Sequence, residues 1–181
     1  YRKDKKPPSF QKFHDNLENR CPNLFNGKYQ LITEYGRSIH ANSCWTASKV
    51  EYIKQSKQVN TAVIHVGADL FTRRCYLPDT WYHEISVYNP EGQPKTGPRD
   101  EYNIVGPLCF SGDILARNIE LPKIDAGDYI VIHDTGAYTL SVWNRHLSRQ
   151  IPLAVGYHNS GEKFITLKEK ETLDDVYNFW Q

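Results

Sequence analysis

Methionine is absent from these 181 residues, and the chain begins at Tyr1. A complete translated chain starts with one, so the expectation is a piece of a longer polypeptide. An excess of either charge is missing too. The net charge is +1 with 24% charged residues, which argues against a nucleic-acid-binding face as the main business. The basic start, Arg2-Lys3-Asp4-Lys5-Lys6, is short and runs into Pro7-Pro8, as a solvated surface segment does. No stretch is long and apolar enough to cross a membrane, and no signal-peptide core is present. Cys21, Cys44, Cys75 and Cys109 form no CxxC pair, so neither a zinc ribbon nor a dithiol redox motif is indicated. Free thiols in a reducing, cytoplasmic setting are the expectation. The seven histidines lack HxxxH and HxH spacings, and no metal site is expected. Internal repeats and low-complexity tracts are also lacking.

The remaining texture changes along the chain. Ser9 to Asn19 carries Phe10, Phe13 and Leu17 three to four residues apart, the pattern of an amphipathic helix after a Pro-Pro break. Lys28 to Thr33, with Tyr29, Leu31 and Ile32, reads as a buried strand ending at Glu34-Tyr35-Gly36-Arg37. Helix then apolar strand is the rhythm of an α/β unit. Beyond residue 48, short apolar or alternating runs predict strands at Val50–Ile53, Thr61–Val66, Glu84–Tyr88, Tyr129–His133, Leu153–Tyr157 and Lys163–Leu167. Pro90-Glu91-Gly92, Asp125-Ala126-Gly127-Asp128 and Asn159-Ser160-Gly161 supply turn chemistry between them. A closing helix is expected after Thr172, with Asp174 and Asp175 suiting its positive first turn.

Three clusters carry chemistry. The run Gly106-Pro107-Leu108-Cys109-Phe110-Ser111-Gly112-Asp113 is a shaped loop rather than the middle of a helix or strand. Cys109 on it could give or take a proton at a reacting carbon; an isolated cysteine is also a common small buried hydrophobe. Asp113 reads as a loop-fixing carboxylate bonded to backbone N–H groups. In Glu34-Tyr35-Gly36-Arg37, Arg37 could meet a phosphate with its planar fork, Gly36 would let the backbone come close, and Glu34 would accept from a protonated ring nitrogen. A plain Glu–Arg pair closing a strand explains the same four residues. Tyr138, after Gly136-Ala137, could reach a phosphate or serve as a cross-strand aromatic. Either Arg73 or Arg74 could clamp a substrate carboxylate, and a pair of exposed basics is the alternative.

Taken in order, these clusters resemble the C-terminal half of the pyridoxal-phosphate (PLP) amino-acid decarboxylases that include the diaminopimelate and ornithine enzymes. Glu34–Arg37 is similar to that family's Glu-Pro-Gly-Arg, Gly106–Asp113 to its Gly-Pro-x-Cys-x-Ser-x-Asp loop, and Asp134–Tyr138 to its Asp-x-Gly-Ala-Tyr. Glu171-Thr172-Leu173-Asp174-Asp175 is similar to the diaminopimelate branch. The resemblance covers about Lys28 to Tyr177. It implies an α/β plus all-β fold: residues 1–47 as the last part of a PLP-binding (α/β)8 barrel, and 48–181 as a β-sandwich or β-barrel-like domain. It implies Glu34 at the pyridine nitrogen and Gly36, Arg37 and Tyr138 at the phosphate. Cys109 would protonate the carbon left when carbon dioxide departs, at the cofactor of the other subunit of a homodimer. Arg73, Phe110 and Ser111 would contact the amino-acid substrate, with Arg73 the better match to a carboxylate-binding arginine.

Three departures stand out. Tyr35 replaces proline. Phe110 stands where the family has an acidic residue that meets the substrate's distal amine, and Val66 stands where the ornithine branch has another acid. Standard ornithine specificity is therefore not expected, and diaminopimelate would need another group, such as Asp69, at its far end. The family's Schiff-base lysine has no counterpart in context before residue 28; Lys3, Lys5 and Lys6 sit in a polar tail. A non-catalytic homologue that binds a partner subunit, and a cofactor-dependent racemase, are the alternatives.

Overall fold

The computed structural model describes residues 8–57, 59–158 and 163–181. The basic start and the turn at 159–161 lie outside the described residues. The chain opens with helix α1 (Phe10–Arg20), whose N-cap Ser9 accepts from the Lys12 amide at 3.1 Å. A single helical turn, α2 (Arg37–His40), follows, with Gly36 as its N-cap.

Lys28 to Thr33 does not form the expected strand. It runs without ladder pairing, and Tyr29, Leu31 and Ile32 are 60%, 46% and 79% exposed. A strand forms only when a neighbour takes its N–H and C=O groups, and among the described residues this segment has none. Tyr35, just beyond it, lies against Phe10 and Phe13 of α1 instead, at ring separations of 4.8 and 5.5 Å.

From Thr46 the chain builds a six-stranded mixed sheet. Its strands are β1 (Thr46–Lys54), β2 (Asn60–Ile64), β3 (Ile85–Tyr88), β4 (Arg99–Val105), β5 (Ile114–Pro122) and β6 (Tyr129–Ile132), in the order β3-β6-β1-β2-β4-β5. Only the β2–β4 pair is parallel. The two edge strands, β3 and β5, approach one another, so the sheet nearly closes on itself. The alternation is the cause. Ala62 and Ile64 of β2, Tyr102 and Ile104 of β4, and Ile130 and Ile132 of β6 all point inward and are at most 2% exposed. Leu70 and Phe71, from the segment after β2, join this core, and the Tyr102 hydroxyl inside it accepts from the Ile124 amide at 3.0 Å.

A separate hairpin, β7 (Ala154–His158) with β8 (Lys163–Lys168), lies beyond the barrel-like sheet. Helix α3 (Thr72–Tyr76) links β2 to β3, and α4 (Leu173–Phe179) ends the chain. The expected Thr172 cap is a full capping box: Asp175 N–H donates to Thr172 Oγ1 at 3.1 Å and Thr172 N–H to Asp175 at 2.7 Å. Glu171, beside it, forms a two-pronged pair with Arg145 at 2.7 and 3.0 Å and also accepts from the Ile151 amide.

Strands β4 and β5 are not evident in the sequence. β4 opens on Arg99-Asp100-Glu101, all exposed, and β5 is interrupted where Asn118 adopts φ 48° and its amide donates to Asn103 Oδ1. The irregular register there breaks the period-two pattern that would announce a strand.

Candidate functional site

The Gly106–Asp113 run is an irregular loop between β4 and β5, pinned by Asp113. One Asp113 oxygen accepts from Ala68 N–H at 2.6 Å and the other from Leu108 N–H at 2.8 Å. A Cβ on Gly67 or Gly106 would lie 2.4 or 2.3 Å from that carboxylate, so both positions require glycine for closeness alone. Burial pushes the Asp113 carboxyl upward, opposed by the two amides it accepts from. Asp113 is thus a fastener between the loop at 67–70 and the cysteine loop, as its backbone-bonding residue type implies.

Asp69 is not free for a ligand. It is buried, accepts from the Gly67 amide at 3.0 Å and pairs with Arg149 Nε at 2.8 Å. The expectation that it could receive a substrate's far end is therefore overturned: its lone pairs are committed to the fold. Val66, another position set against the ornithine branch, packs on the core.

Arg73 and Arg74 are not a pair of exposed basics. Arg74 turns inward and donates to the carbonyls of Leu115 (2.5 Å), Pro78 (2.5 Å) and Trp81 (2.9 Å), with burial pushing its pKa down. Arg73 points the other way, its guanidinium carbon 4.4 Å from the Tyr138 ring centre and 5.2 Å from that of Trp81.

Trp81 is the hub that sequence reasoning missed. It is 8% exposed. The Arg37 guanidinium lies over its ring at 3.9 Å, and Tyr138 meets it edge-on at 5.6 Å. Arg37, Arg73 and Tyr138 therefore converge on one indole. The approach of the Tyr138 turn to α2, which Arg37 opens, is set by Gly136. The amides of Thr135 and Gly136 donate to the carbonyls of Cys44 and Ala41, and a Cβ on Gly136 would lie 1.8 Å from the His40 carbonyl oxygen. The Asp134–Tyr138 turn thus rests directly on the end of α2. Tyr138 pairs with no strand; it sits in a turn at φ 57°, a left-handed conformation that costs a non-glycine residue energy and recurs at functional sites.

The other side of the site is continuous with this one through α3. Tyr76, three residues after Arg73 and so on a neighbouring part of the same helix face, stacks on Phe110 at 5.1 Å and 19°. Phe110 folds back over its own loop, where a Cβ on Gly112 would meet its ring at 2.4 Å. Cys109 and Ser111, flanking Phe110, are exposed. Glu34 and Gly36 lie just before α2; Glu34 is exposed, and Gly36 has open space where a Cβ would be. Neither is in the aromatic cluster. Cys75, by contrast, is half-buried, and burial, then Asp113, pushes its thiol up to about 12.

Two guanidiniums held together on an aromatic support, with a phenol beside them and open backbone at Gly36, suit a phosphorylated or carboxylate-bearing ligand. Among the described residues no cluster of histidine, cysteine and carboxylate could hold a metal, and no helix is long and apolar enough to cross a membrane.

The nearly closed sheet is of the class that forms the C-terminal domain of pyridoxal-dependent decarboxylases. The family model for the C-terminal sheet domain of pyridoxal-dependent decarboxylases matches residues 15–136, and the chain belongs to that family. Within it, the similarity is to diaminopimelate decarboxylases. The chain is 32% identical over 147 residues to that of Archaeoglobus fulgidus, covering 81% of this chain and 33% of the relative. It is 32% identical over 170 residues to that of Zymomonas mobilis, covering 94% and 38%. The solved structure of the M. jannaschii enzyme in complex with L-lysine superimposes with a TM-score of 0.83 at 29% identity, covering 97% of this chain and 39% of that one. The chain thus spans about a third of the length of the curated relatives it matches.

Proposed function

We propose that this chain is the C-terminal portion of a PLP-dependent amino-acid decarboxylase close to the diaminopimelate type, with residues 1–47 completing an (α/β)8 barrel and 48–181 forming the sheet domain. The convergence of Arg37, Arg73 and Tyr138 on Trp81 is the observation that carries this reading. Arg37 and the Tyr138 hydroxyl would hold the cofactor's phosphate, with Gly36 giving it room and Glu34 accepting from the pyridine nitrogen. When bound, the cofactor supplies an electron sink for the carbon that loses its carboxylate.

The chain's own residues would do the rest. Arg73 would orient a substrate carboxylate by a two-pronged bond. Phe110 and Ser111 would line the substrate's side chain, and the Cys109 thiol would hold the proton that replaces the departing carbon dioxide. In a homodimer, Cys109 would serve the partner's site. An aromatic pair, Tyr76–Phe110, offers a distal ammonium only a cation–π contact in place of a carboxylate, so the substrate's far end is expected to differ from that of ornithine. A reducing, cytoplasmic setting fits the four unpaired cysteines.

The test is carbon dioxide release by the full-length protein with pyridoxal phosphate and a panel of diamino and basic amino acids of both hands. Release that is abolished by Arg37→Gln and Cys109→Ala supports the reading. No release from any of them overturns it.

A further inference from the structure

Behind Trp81 stands a side chain that the function proposed above does not use, His83. Trp81 and His83 are two residues apart, both buried, and joined: the indole Nε1–H donates to His83 Nε2 at 3.2 Å. The other imidazole nitrogen, Nδ1, lies 2.8 Å from the His133 carbonyl and donates to it. That carbonyl is itself fixed, because the His133 amide donates to the Glu84 carbonyl at 2.9 Å and its ring meets Ser86 Oγ at 2.8 Å. Phe71 packs edge-on against the imidazole at 5.5 Å. His83 thus stands between the β3–β6 ladder and the indole, with both ring nitrogens engaged.

The backbone of Trp81 is held separately, by Arg74 on its carbonyl and by its own amide on the Leu77 carbonyl. What remains to be fixed is the rotation of the indole about its side-chain bonds. The ring nitrogen bonded to His83 supplies that. The face so oriented is the one over which Arg37 lies. A guanidinium is attracted to the face of an indole and not to its edge, so a turned ring would withdraw this contact from Arg37 and shift it.

We infer that His83 is a positioning residue that fixes the rotation of the Trp81 indole and, through that ring, the place of the Arg37 guanidinium. This requires the imidazole to keep a lone pair toward the indole; burial holds it neutral, as below. That the placed guanidinium receives a phosphate rests on the function proposed above, whereas the coupling from His83 to Arg37 does not.

Two near-isosteric replacements separate positioning from plain support. In His83→Gln the amide oxygen falls near the position of Nε2 and can still accept from the indole. In His83→Asn the amide nitrogen falls near Nδ1 and keeps only the bond to His133. Each loses one hydrogen bond, and Asn also loses a methylene that Gln keeps, so a merely structural role predicts a somewhat larger stability loss in Asn but neither a moved Trp81 ring nor a dependence on Arg37.

The experiment uses the full-length protein, with pyridoxal phosphate as the titrated probe and 5-fluorotryptophan labelling as the second readout. The Trp81 fluorine signal is assigned by its loss in Trp81→Phe. His83→Asn is expected to weaken pyridoxal phosphate binding about tenfold and to move or broaden the Trp81 signal, while His83→Gln stays within about threefold. On the Arg37→Gln background, His83→Asn should add no further loss of affinity. Equal weakening by Asn and Gln, an unmoved Trp81 signal in His83→Asn, or additive losses with Arg37→Gln would overturn the inference. If the unsubstituted protein binds no pyridoxal phosphate, the proposed function fails. The fluorine signal then decides the coupling alone: His83→Asn and Arg37→Gln must both shift it, and His83→Gln must not.

Discussion

The guanidinium of Arg37 sits 3.9 Å from the centre of the Trp81 ring. Those two residues are separated by two strands and a helix in sequence, and the contact brings the segment before the sheet onto the site that the sheet builds. A cation on a largely desolvated indole gains about 1–2 kcal/mol.

Trp81→Leu is expected to cost in two ways. Stability should fall by about 3 kcal/mol, because a buried indole is replaced by a smaller side chain. Pyridoxal phosphate affinity should fall by at least about tenfold beyond what a comparable cavity elsewhere in the core produces, since Arg37 and Arg73 lose their common support. Ile130→Ala, at a fully buried position of the sheet core, is the control: denaturant melts should show a stability loss of similar size, about 3 kcal/mol, with unchanged affinity.

His83 gives the protein a pH signature. Burial depresses this imidazole from 6.5 to about 4. A depressed group contributes stability that is complete above its unfolded value and is lost as pH falls through its folded value. The melting temperature is therefore expected to decline between pH 6.5 and 4, from a contribution of about 3 kcal/mol. In His83→Gln this part of the decline should vanish, which melts at half-unit pH intervals would reveal. A slope that persists undiminished in that variant would assign it to other groups.

Gly136→Ala should be among the most damaging small substitutions. Its methyl would be driven into the His40 carbonyl at 1.8 Å and toward Ser43 Oγ at 2.8 Å. Backbone on both sides would have to part, at about 3 kcal/mol. The Tyr138 turn would lift from α2, so affinity for pyridoxal phosphate should drop together with stability. A variant as stable as the unsubstituted protein would contradict the close approach.

The four thiols should react in two classes. Cys21, Cys44 and Cys109 are exposed, whereas Cys75 is half-buried with its thiol pushed up to about 12. Only the thiolate is alkylated, so at pH 8 roughly one Cys75 in ten thousand is reactive at any moment. Timed iodoacetamide labelling read by mass spectrometry should show Cys75 lagging the other three until the fold is melted.

The motifs were legible because each is local: Gly106–Asp113 and Asp134–Tyr138 announce loops by their glycines and prolines, and Asp113 announces a carboxylate that ties backbone. The six strands with clean alternation were legible for the same reason. What escaped was long-range. Trp81 lies in Thr80-Trp81-Tyr82-His83, which carries no turn or catalytic pattern; its meaning appears only when Arg37 and Tyr138 arrive from either side of the sheet. β4 and β5 escaped because charge and an irregular register mask their period. Lys28–Thr33 has the apolar composition of a strand but no ladder, because a ladder also needs a neighbour and the described residues supply none.

Asp113 threads one carboxylate between two glycines, Gly67 and Gly106, and bonds the loop of each. The thiol-bearing loop and the segment leading into α3 are thereby riveted at a common point. Grafting residues 106–113 alone onto another scaffold would leave the rivet without its second plate. Transplanting the thiol's setting means moving 67–70 with it, and natural variation at either glycine should be matched by change at the acid.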